Sequence, residues 1–456
     1  MSSVVFFGRA HAGKSTLVGS MIAREKGLSH KDLLRLERKN FEEIPNYDPS
    51  SLYASIVDDT RIERSRRGRL TAAGHAPGST QKRHYRTASR PNGDKITLID
   101  TPGAEHRHRE RDRGMFAGDV GVFCIEAADV IKEEFFSRES QYRTLLRTLS
   151  LWAGLSHTKV IVALTKMDEA DFRQEVFEEA IIALRLLTDP LGLGLEFVPT
   201  AVDVAAMRTF NVFKKSQGTF SWYNGPSLSE CIETQLEEIK SNSADEFQLL
   251  FTVDESFKKP RSNVGQTWRI KVLSGTLEVG DAVTFGPVMN DRGEYFPVKA
   301  KVKALRGDLH RSDQTVELTA VSFGQIAGLD LQSIRTLEGR NISKSSVTTV
   351  SSSCGFSCRD SFKIGDSFKF TVARSEKDAF IPGRELLVMW FGRALPFRVS
   401  EVGDEGDTMR VVCNELSKPI MMATRNDGTF LMSSLLIVNQ VGSESNFIQG
   451  VLVDIF

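Results

Sequence analysis

The strongest constraint on this chain lies in its first sixteen residues. Ser3-Val4-Val5-Phe6-Phe7 is β-branched and aromatic with no charge, as a buried strand requires. It runs into Gly8-Arg9-Ala10-His11-Ala12-Gly13-Lys14-Ser15-Thr16, and the stretch from Leu17 to Ala23 continues as a helix. Strand, G-x-x-x-x-G-K-S and helix, in that order, is the setting of a phosphate-binding loop. The glycines let the backbone curl until successive N–H groups face inward, at a helix N-terminus that already favours anions. In such a loop Lys14 reaches the β- and γ-phosphates and the Ser15 hydroxyl ligates Mg²⁺. Gly8, His11, Ala12, Gly13, Lys14, Ser15 and Thr16 are therefore the candidate phosphate-site residues.

Downstream strands end in residues that complete such a site. Ile96-Thr97-Leu98-Ile99 runs into Asp100-Thr101-Pro102-Gly103. In nucleotide switches an Asp here holds a Mg²⁺-bound water, and the Gly amide senses the γ-phosphate. Lys159 to Leu164 is a second apolar strand and leads into Thr165-Lys166-Met167-Asp168. Asp168 is placed to accept from guanine N1–H and N2–H₂, donors that adenine does not offer there, while the Lys166 stem covers the ring. Discrimination through paired polar groups is the strong kind. Glu196 to Ala201 adds a strand whose end, Thr200 and Ala201, backs the base. These motifs in this order predict a guanine-nucleotide domain binding GTP and GDP with Mg²⁺.

Composition narrows the rest. At 456 residues, 40% hydrophobic and 26% charged, the chain suits two to four globular domains. Lys plus Arg and Asp plus Glu both count 59, so no global basic field announces nucleic acid, and any such binding rests on local patches. The stretch from Arg61 to Arg69 carries five Arg against one Glu. Cysteines 124, 231, 354, 358 and 413 are scattered and read as buried or idle thiols. No secretory leader or membrane-length apolar run is evident, so a cytoplasmic protein without membrane contact is expected. After residue 246 short Gly-punctuated strands predict two β domains. The stretches 241–245 and 345–353 read as linkers.

These motifs resemble the translational GTPases, in the branch of elongation factor 1-alpha, its termination and rescue relatives, and the GTPase subunit of sulfate adenylyltransferase. The helical insertion ending in Tyr53-Ala54, the Glu63-Arg64 stretch and Trp222-Tyr223-Asn224-Gly225-Pro226-Ser227-Leu228 carry that resemblance. So do Asn263 to Asp281, Val283-Thr284-Phe285-Gly286-Pro287 and Phe323 to Leu329 beyond the first domain. The resemblance implies an α/β P-loop GTPase domain, a mostly parallel sheet with helices on both faces, followed by two β-barrel domains. The expected bounds are 1–240, 246–342 and 350–456. It implies a monomeric switch acting with the ribosome, with tRNA or with a tRNA-mimicking protein. A GTP-clamped adaptor that does not hydrolyse, and a subunit of a sulfate-activating adenylyltransferase, are the alternatives.

Three departures from the family pattern qualify that expectation. The histidine that positions the attacking water after D-x-P-G is replaced by Ala104, and a methyl group cannot orient water, so no catalytic residue is assigned. His106 substitutes for it only if the local backbone differs. The phosphate loop has His11 where the family usually has Asp. In switch I, Gly78-Ser79-Thr80 fits the family's G-x-T directly, whereas Arg67-Gly68-Arg69-Leu70-Thr71 has one residue too many. Thr80 is thus preferred over Thr71 as the Mg²⁺-ligating threonine, giving Ser15, Thr80 and Asp100 as the metal set. The switch II helix, with Arg107 to Arg113, and the stretch from Arg61 to Arg69 are candidate RNA contacts.

Overall fold

The computed structural model describes residues 2–44, 47–57, 80, 82–90, 95–104, 107–132, 148–153, 159–189, 192–214, 218–242, 248–258, 266–307, 316–343, 347–357, 359–391, 393–405, 408–414, 419–424, 429–430, 434–441 and 444–456. Thr71, His106, Cys358 and the stretch from Arg61 to Arg69 lie outside them. The chain divides into two compact units, residues 2–242 and residues 243–456.

The first unit is built on a six-stranded sheet. Its strands are β1 (Ser3–Gly8), β2 (His84–Ser89), β3 (Lys95–Asp100), β4 (Val120–Glu126), β5 (Lys159–Thr165) and β6 (Gly194–Pro199), in the order β2-β3-β1-β4-β5-β6. Only β2 runs antiparallel, against β3. The parallel strands are apolar at nearly every position because both faces are covered. On one face Val4, Phe6, Val122, Ile161 and Ala163 meet α1 (Lys14–Glu25) and a C-terminal helix at Leu228–Asn242 through Leu17, Val18, Ile232 and Leu236. On the other, Phe7 stacks on Trp152 at 5.3 Å and meets Phe123 at 5.6 Å with the rings tilted by 46°. Short parallel strands place their carboxyl ends along one edge, where α/β sheets bind ligands.

Further helices described in this unit include α2 (His30–Glu43), α3 (Ala54–Val57), α4 (His108–Ala117), α5 (Ala127–Val130) and α6 (Gln174–Thr188), with the helix at Leu228–Asn242 as α7. Ser29 and Asp32 form a reciprocal capping box that starts α2. A two-stranded pair, β7 (Ala201–Asp203) and β8 (Arg208–Phe210), follows β6. No described helix is long and apolar enough to cross a membrane.

The second unit holds two closed six-stranded β-barrels. The first joins Leu250–Lys258, Gln266–Ser274, Ala282–Asn290, Tyr295–Gly307, Ile326–Thr336 and Val347–Ser357. Its interior is Phe251, Trp268, Ile270, Phe285, Val302 and Leu329, and alternation is plain in Tyr295–Gly307, where Val298, Ala300 and Val302 are buried between exposed Lys299, Lys301 and Lys303. The second barrel joins Phe368–Ala373, Thr408–Asn414, Arg393–Glu405, Glu385–Trp390, Ser434–Val441 and Glu444–Ile455 around Phe368, Phe370 and Phe397.

One expectation is overturned here. From residue 347 on, the expected linker 345–353 is not one, because Val347–Ser357 is a full strand paired with Ala282–Asn290 on one side and Leu250–Lys258 on the other. Its Ser/Thr content masked β-branched Val347, Thr348, Thr349 and Val350, and Cys354 and Phe356 are fully buried. The first barrel thus runs past 342 to Ser357, through residues expected to open the third domain. Of the other expected linker, 241–245, the first two residues complete α7.

Candidate nucleotide site

The candidate site forms where β1, β3, β5 and β6 end. After β1 the chain turns at Gly8, whose φ of +139° already demands glycine; a Cβ there would also stand 2.2 Å from the Cys124 carbonyl oxygen on β4. His11 takes a left-handed φ of +64°. Gly13, also left-handed, caps α1 with no side-chain hydrogen bond, which leaves the first-turn amides of α1 free for an anion. Lys14 is buried, and its ammonium donates to the Arg9 carbonyl at the start of the loop. Burial pushes the Lys14 pKa down, opposed by the charge of Asp100.

Asp100, at the end of β3, is completely buried, and its pKa is raised by that burial against the pull of Lys14. Its Oδ2 accepts from Ser15 Oγ at 2.6 Å, and Ser15 Oγ lies 3.0 Å from Thr80 Oγ1. The structure therefore brings Ser15, Thr80 and Asp100 together. Asp100 Oδ1 is buried with no hydrogen-bond partner among the described residues. A buried carboxylate oxygen left over beside two hydroxyls is a hard-oxygen donor set suited to Mg²⁺, which uses one or two carboxylates and takes its other ligands from water and phosphate. Three residues on, Gly103 crosses the phosphate loop so closely that a Cβ would lie 2.3 Å from the Ala10 nitrogen. Ala104 follows, half-buried, and its carbonyl accepts from the Arg107 N–H at 3.0 Å.

The other end of the site is built at β5 and β6. Thr165 Oγ1 lies 3.1 Å from the carbonyls of both Ala12 and Ile125, tying the phosphate loop to the ends of β4 and β5. Lys166 adopts a left-handed φ of +56°, and its Nζ donates to Glu126 Oε2 at 2.7 Å. Asp168 is half-buried; burial raises its pKa, and the nearby Asp203 charge adds to that. The Met167 amide donates to the Thr200 carbonyl at 3.2 Å, and the Thr200 amide to Leu164 at 2.8 Å, which fixes the two strand ends side by side. Trp222 Nε1 donates to the Phe172 carbonyl at 3.0 Å, and Tyr223 Oη to Phe197 at 3.1 Å. Trp222 thus braces the turn that follows Asp168, and Tyr223 ties the same segment to β6.

A cavity of ≈ 540 Å³ joins the two ends. His11, Gly13, Lys14, Ser15 and Thr16 line it from the loop, Thr80 and Gly103 from the switch strands, and Thr165, Lys166, Asp168, Thr200 and Ala201 from the far end. Of the sequence-derived set, Gly8, Ala12 and Asp100 stand behind this wall rather than in it. Sequence reading missed Asp48, Ser50 and Ser51, from the turn before α3, and Asp203 on β7, all of which line the cavity. No motif marks them; only the chain's path brings them there.

The switch II helix differs from expectation. Arg111 is buried, with Nε 3.7 Å from the equally buried Asp112, so it cannot meet a partner. Arg113 pairs with Glu110 at 2.8 Å, and Glu110 also holds buried Arg83 at 3.0 Å. Of this helix's arginines only Arg109 is well exposed. The run is thus only partly available to a partner: Arg111 is buried, Arg107 and Arg113 are half-buried, and Arg113 is engaged by Glu110 three residues before it.

Comparison with known proteins supplies the remaining context. The model of the elongation factor Tu GTP binding domain matches residues 1–339. Elongation factor 1-alpha of Thermococcus onnurineus (strain NA1) is 27% identical over 326 residues, 71% of this chain and 66% of that protein. The chain thus spans slightly less than two thirds of that relative's length. Among solved structures, the S. cerevisiae Ski7 GTPase-like domain bound to GDP and inorganic phosphate superposes with a TM-score of 0.75 at 14% identity, over 99% of this chain and 97% of that one. The same domain bound to GTP gives 0.73 at 17% identity, with the same coverage. At such identities the likeness speaks for the fold.

Proposed function

This chain belongs to the family of the elongation factor Tu GTP binding domain, and from that premise we propose that it is a GTP-binding switch of the translation-factor kind whose hydrolysis is weak. The observation that carries the reading is the Ser15–Thr80–Asp100 cluster beside Lys14. A threonine from switch I, a hydroxyl from the phosphate loop and the Asp of D-x-P-G meet at one point, as a Mg²⁺–triphosphate switch requires. Mg²⁺ would be held by the Ser15 and Thr80 hydroxyls and, through water, by Asp100, and would neutralise charge on the β- and γ-phosphates. Thr80 then reports the γ-phosphate to switch I, and the Gly103 amide reports it to switch II. At the far end Asp168 would accept from guanine while the Lys166 stem lies over the ring.

Ala104 supports the weak-hydrolysis part. The position that follows D-x-P-G offers only a methyl group, so the attacking water has no side chain there to orient it. The same observation favours a second reading, a GTP-clamped adaptor whose signal is occupancy rather than turnover. Elongation factor 1-alpha relatives make a ribosome, a tRNA or a tRNA-shaped protein the partner class to test first.

Single-turnover GTP hydrolysis with and without ribosomes, with ATP as competitor, tests both parts. GTP should be retained in preference to ATP, with slow phosphate release that ribosomes barely raise. Brisk ribosome-stimulated release would overturn the weak-hydrolysis reading. Equal retention of ATP would overturn the guanine assignment itself.

A further inference from the structure

We propose that Glu126 is a positioning residue for base recognition, acting through Lys166; this rests on the guanine-nucleotide reading of the cavity. Glu126 is the last residue of β4, after the uncharged run Val120 to Ile125, and it sits directly beside Thr165 in the β4–β5 register. It does not line the cavity, whereas Lys166 does. Its carboxylate reaches the Lys166 ammonium from behind at 2.7 Å, with its side chain only 17% exposed. Glu169, the other carboxylate near that ammonium, is 3.6 Å away and 56% exposed, so Glu126 is the dominant anchor.

Two features make this pair more than a surface ion pair. Lys166 sits at φ +56°, a conformation that a long unbranched side chain adopts at a cost, and the backbone alone does not decide where its four-carbon stem goes. Free, the ammonium would swing toward solvent or toward the phosphates. Held at the end of β4, it keeps the stem stretched along the cavity wall, where an apolar ring face can lie against it. A carboxylate close to a polyanion site is also unfavourable in itself. Its presence at the end of an otherwise apolar strand therefore calls for an offsetting role, and the ion pair supplies one. Burial pulls the Lys166 pKa down, yet Glu126 and Glu169 reverse that and leave it raised, so the lysine is charged and engaged throughout the physiological range.

The consequence is specific to the base end. Glu126→Ala should speed dissociation of a fluorescent GDP analogue about five- to tenfold, as loss of a half-buried charge-assisted hydrogen bond does. GTP and GDP should weaken by the same factor, because the lysine stem meets the base and not the γ-phosphate. Glu126→Gln, which keeps an acceptor without the charge, should fall between wild type and Glu126→Ala and covers the case in which the alanine variant does not fold. In a Lys166→Ala background, Glu126→Ala should change dissociation less than twofold, a non-additivity that a purely structural role for Glu126 would not produce. Equal losses in both backgrounds, no loss in either single variant, or a loss confined to GTP would each overturn the proposal. Failure of the wild-type protein to bind guanine nucleotides would instead overturn the reading on which it rests.

Discussion

The two ends of the cavity are made differently. The phosphate end is mostly backbone: a glycine-rich turn, the first amides of α1, and fully or nearly buried Asp100 and Lys14 whose opposite charges offset each other's burial. The base end is mostly side chain: Lys166 held by Glu126, and Asp168 half-buried beside Asp203. A backbone cradle depends on φ values and close approaches that few sequences satisfy, so it is rigid and leaves a recognisable motif. A side-chain wall is assembled from partners on neighbouring strands and tolerates substitution. The phosphate end should therefore supply most of the affinity and the base end most of the discrimination.

The largest effect that tests this contrast is at Lys14. Lys14→Ala should weaken GTP and GDP about a thousandfold, within the range for truncating one partner of a desolvated, hydrogen-bonded charge pair. Equilibrium dialysis with labelled nucleotide reads it, and a loss below tenfold would mean that the cradle does not dominate. Asp168→Ala should weaken GTP about a hundredfold, because guanine N1–H and N2–H₂ are both left without an acceptor. ATP retention should not move. The ratio of GTP to ATP retention thus collapses at the base end and persists at the phosphate end, and the reverse pattern would break the comparison.

The same division explains what could be read from residues alone. Gly8, Lys14, Asp100 and Gly103 were legible because each answers a demand of the local chain. The choice of Thr80 followed from its spacing to Asp100, and Thr80 does lie beside Ser15. Asp48 and Asp203 were not legible as cavity-lining residues, nor Glu126 as the partner of Lys166, since register and loop path make those contacts and neither is written in a motif. Arg111 misled because a charged residue in a charged run looks solvated, yet tertiary packing buries it against Asp112. The Ser/Thr stretch 345–353 misled in the opposite sense. Its polarity suggested a connector, but its β-branched residues and the burial of Cys354 and Phe356 make it a barrel strand. Two β domains were legible as short Gly-punctuated strands, whereas their form as barrels was an expectation from the family resemblance.

Between these effects in size lies Ala104, proposed above as the hydrolytic position, whose methyl group offers a bound nucleotide no polar contact. Ala104→His should raise single-turnover hydrolysis on the order of tenfold, the low side of what a positioned acid–base group contributes, while leaving GTP affinity within twofold. An unchanged rate would show that His11, in place of the usual Asp, or some other missing group limits the site as well.

The smallest effect concerns acid. In the guanine reading proposed above Asp168 must be a carboxylate to accept from the base, and its pKa in the free protein is raised by burial first and by Asp203 second, with Lys166 opposing. A proton that binds Asp168 competes with the base. Affinity should accordingly be full above the raised pKa and fall as pH drops through it, beginning at a higher pH than an ordinary carboxylate would give. The charges of Lys166 and Asp203, with backbone hydrogen bonds from Asp168 and Glu169 that favour the carboxylate, set how far the shift extends. Asp203→Asn removes one of the two raising influences, so the acid limb of a GDP-affinity profile should move to lower pH, with the neutral-pH affinity changed only severalfold. The phosphate end predicts no such movement, because the shifts of Lys14 and Asp100 are set mainly by their own burial and by each other's charge. An acid limb that stays in place in Asp203→Asn would assign the pH dependence to the phosphate end and remove the base end's claim to it.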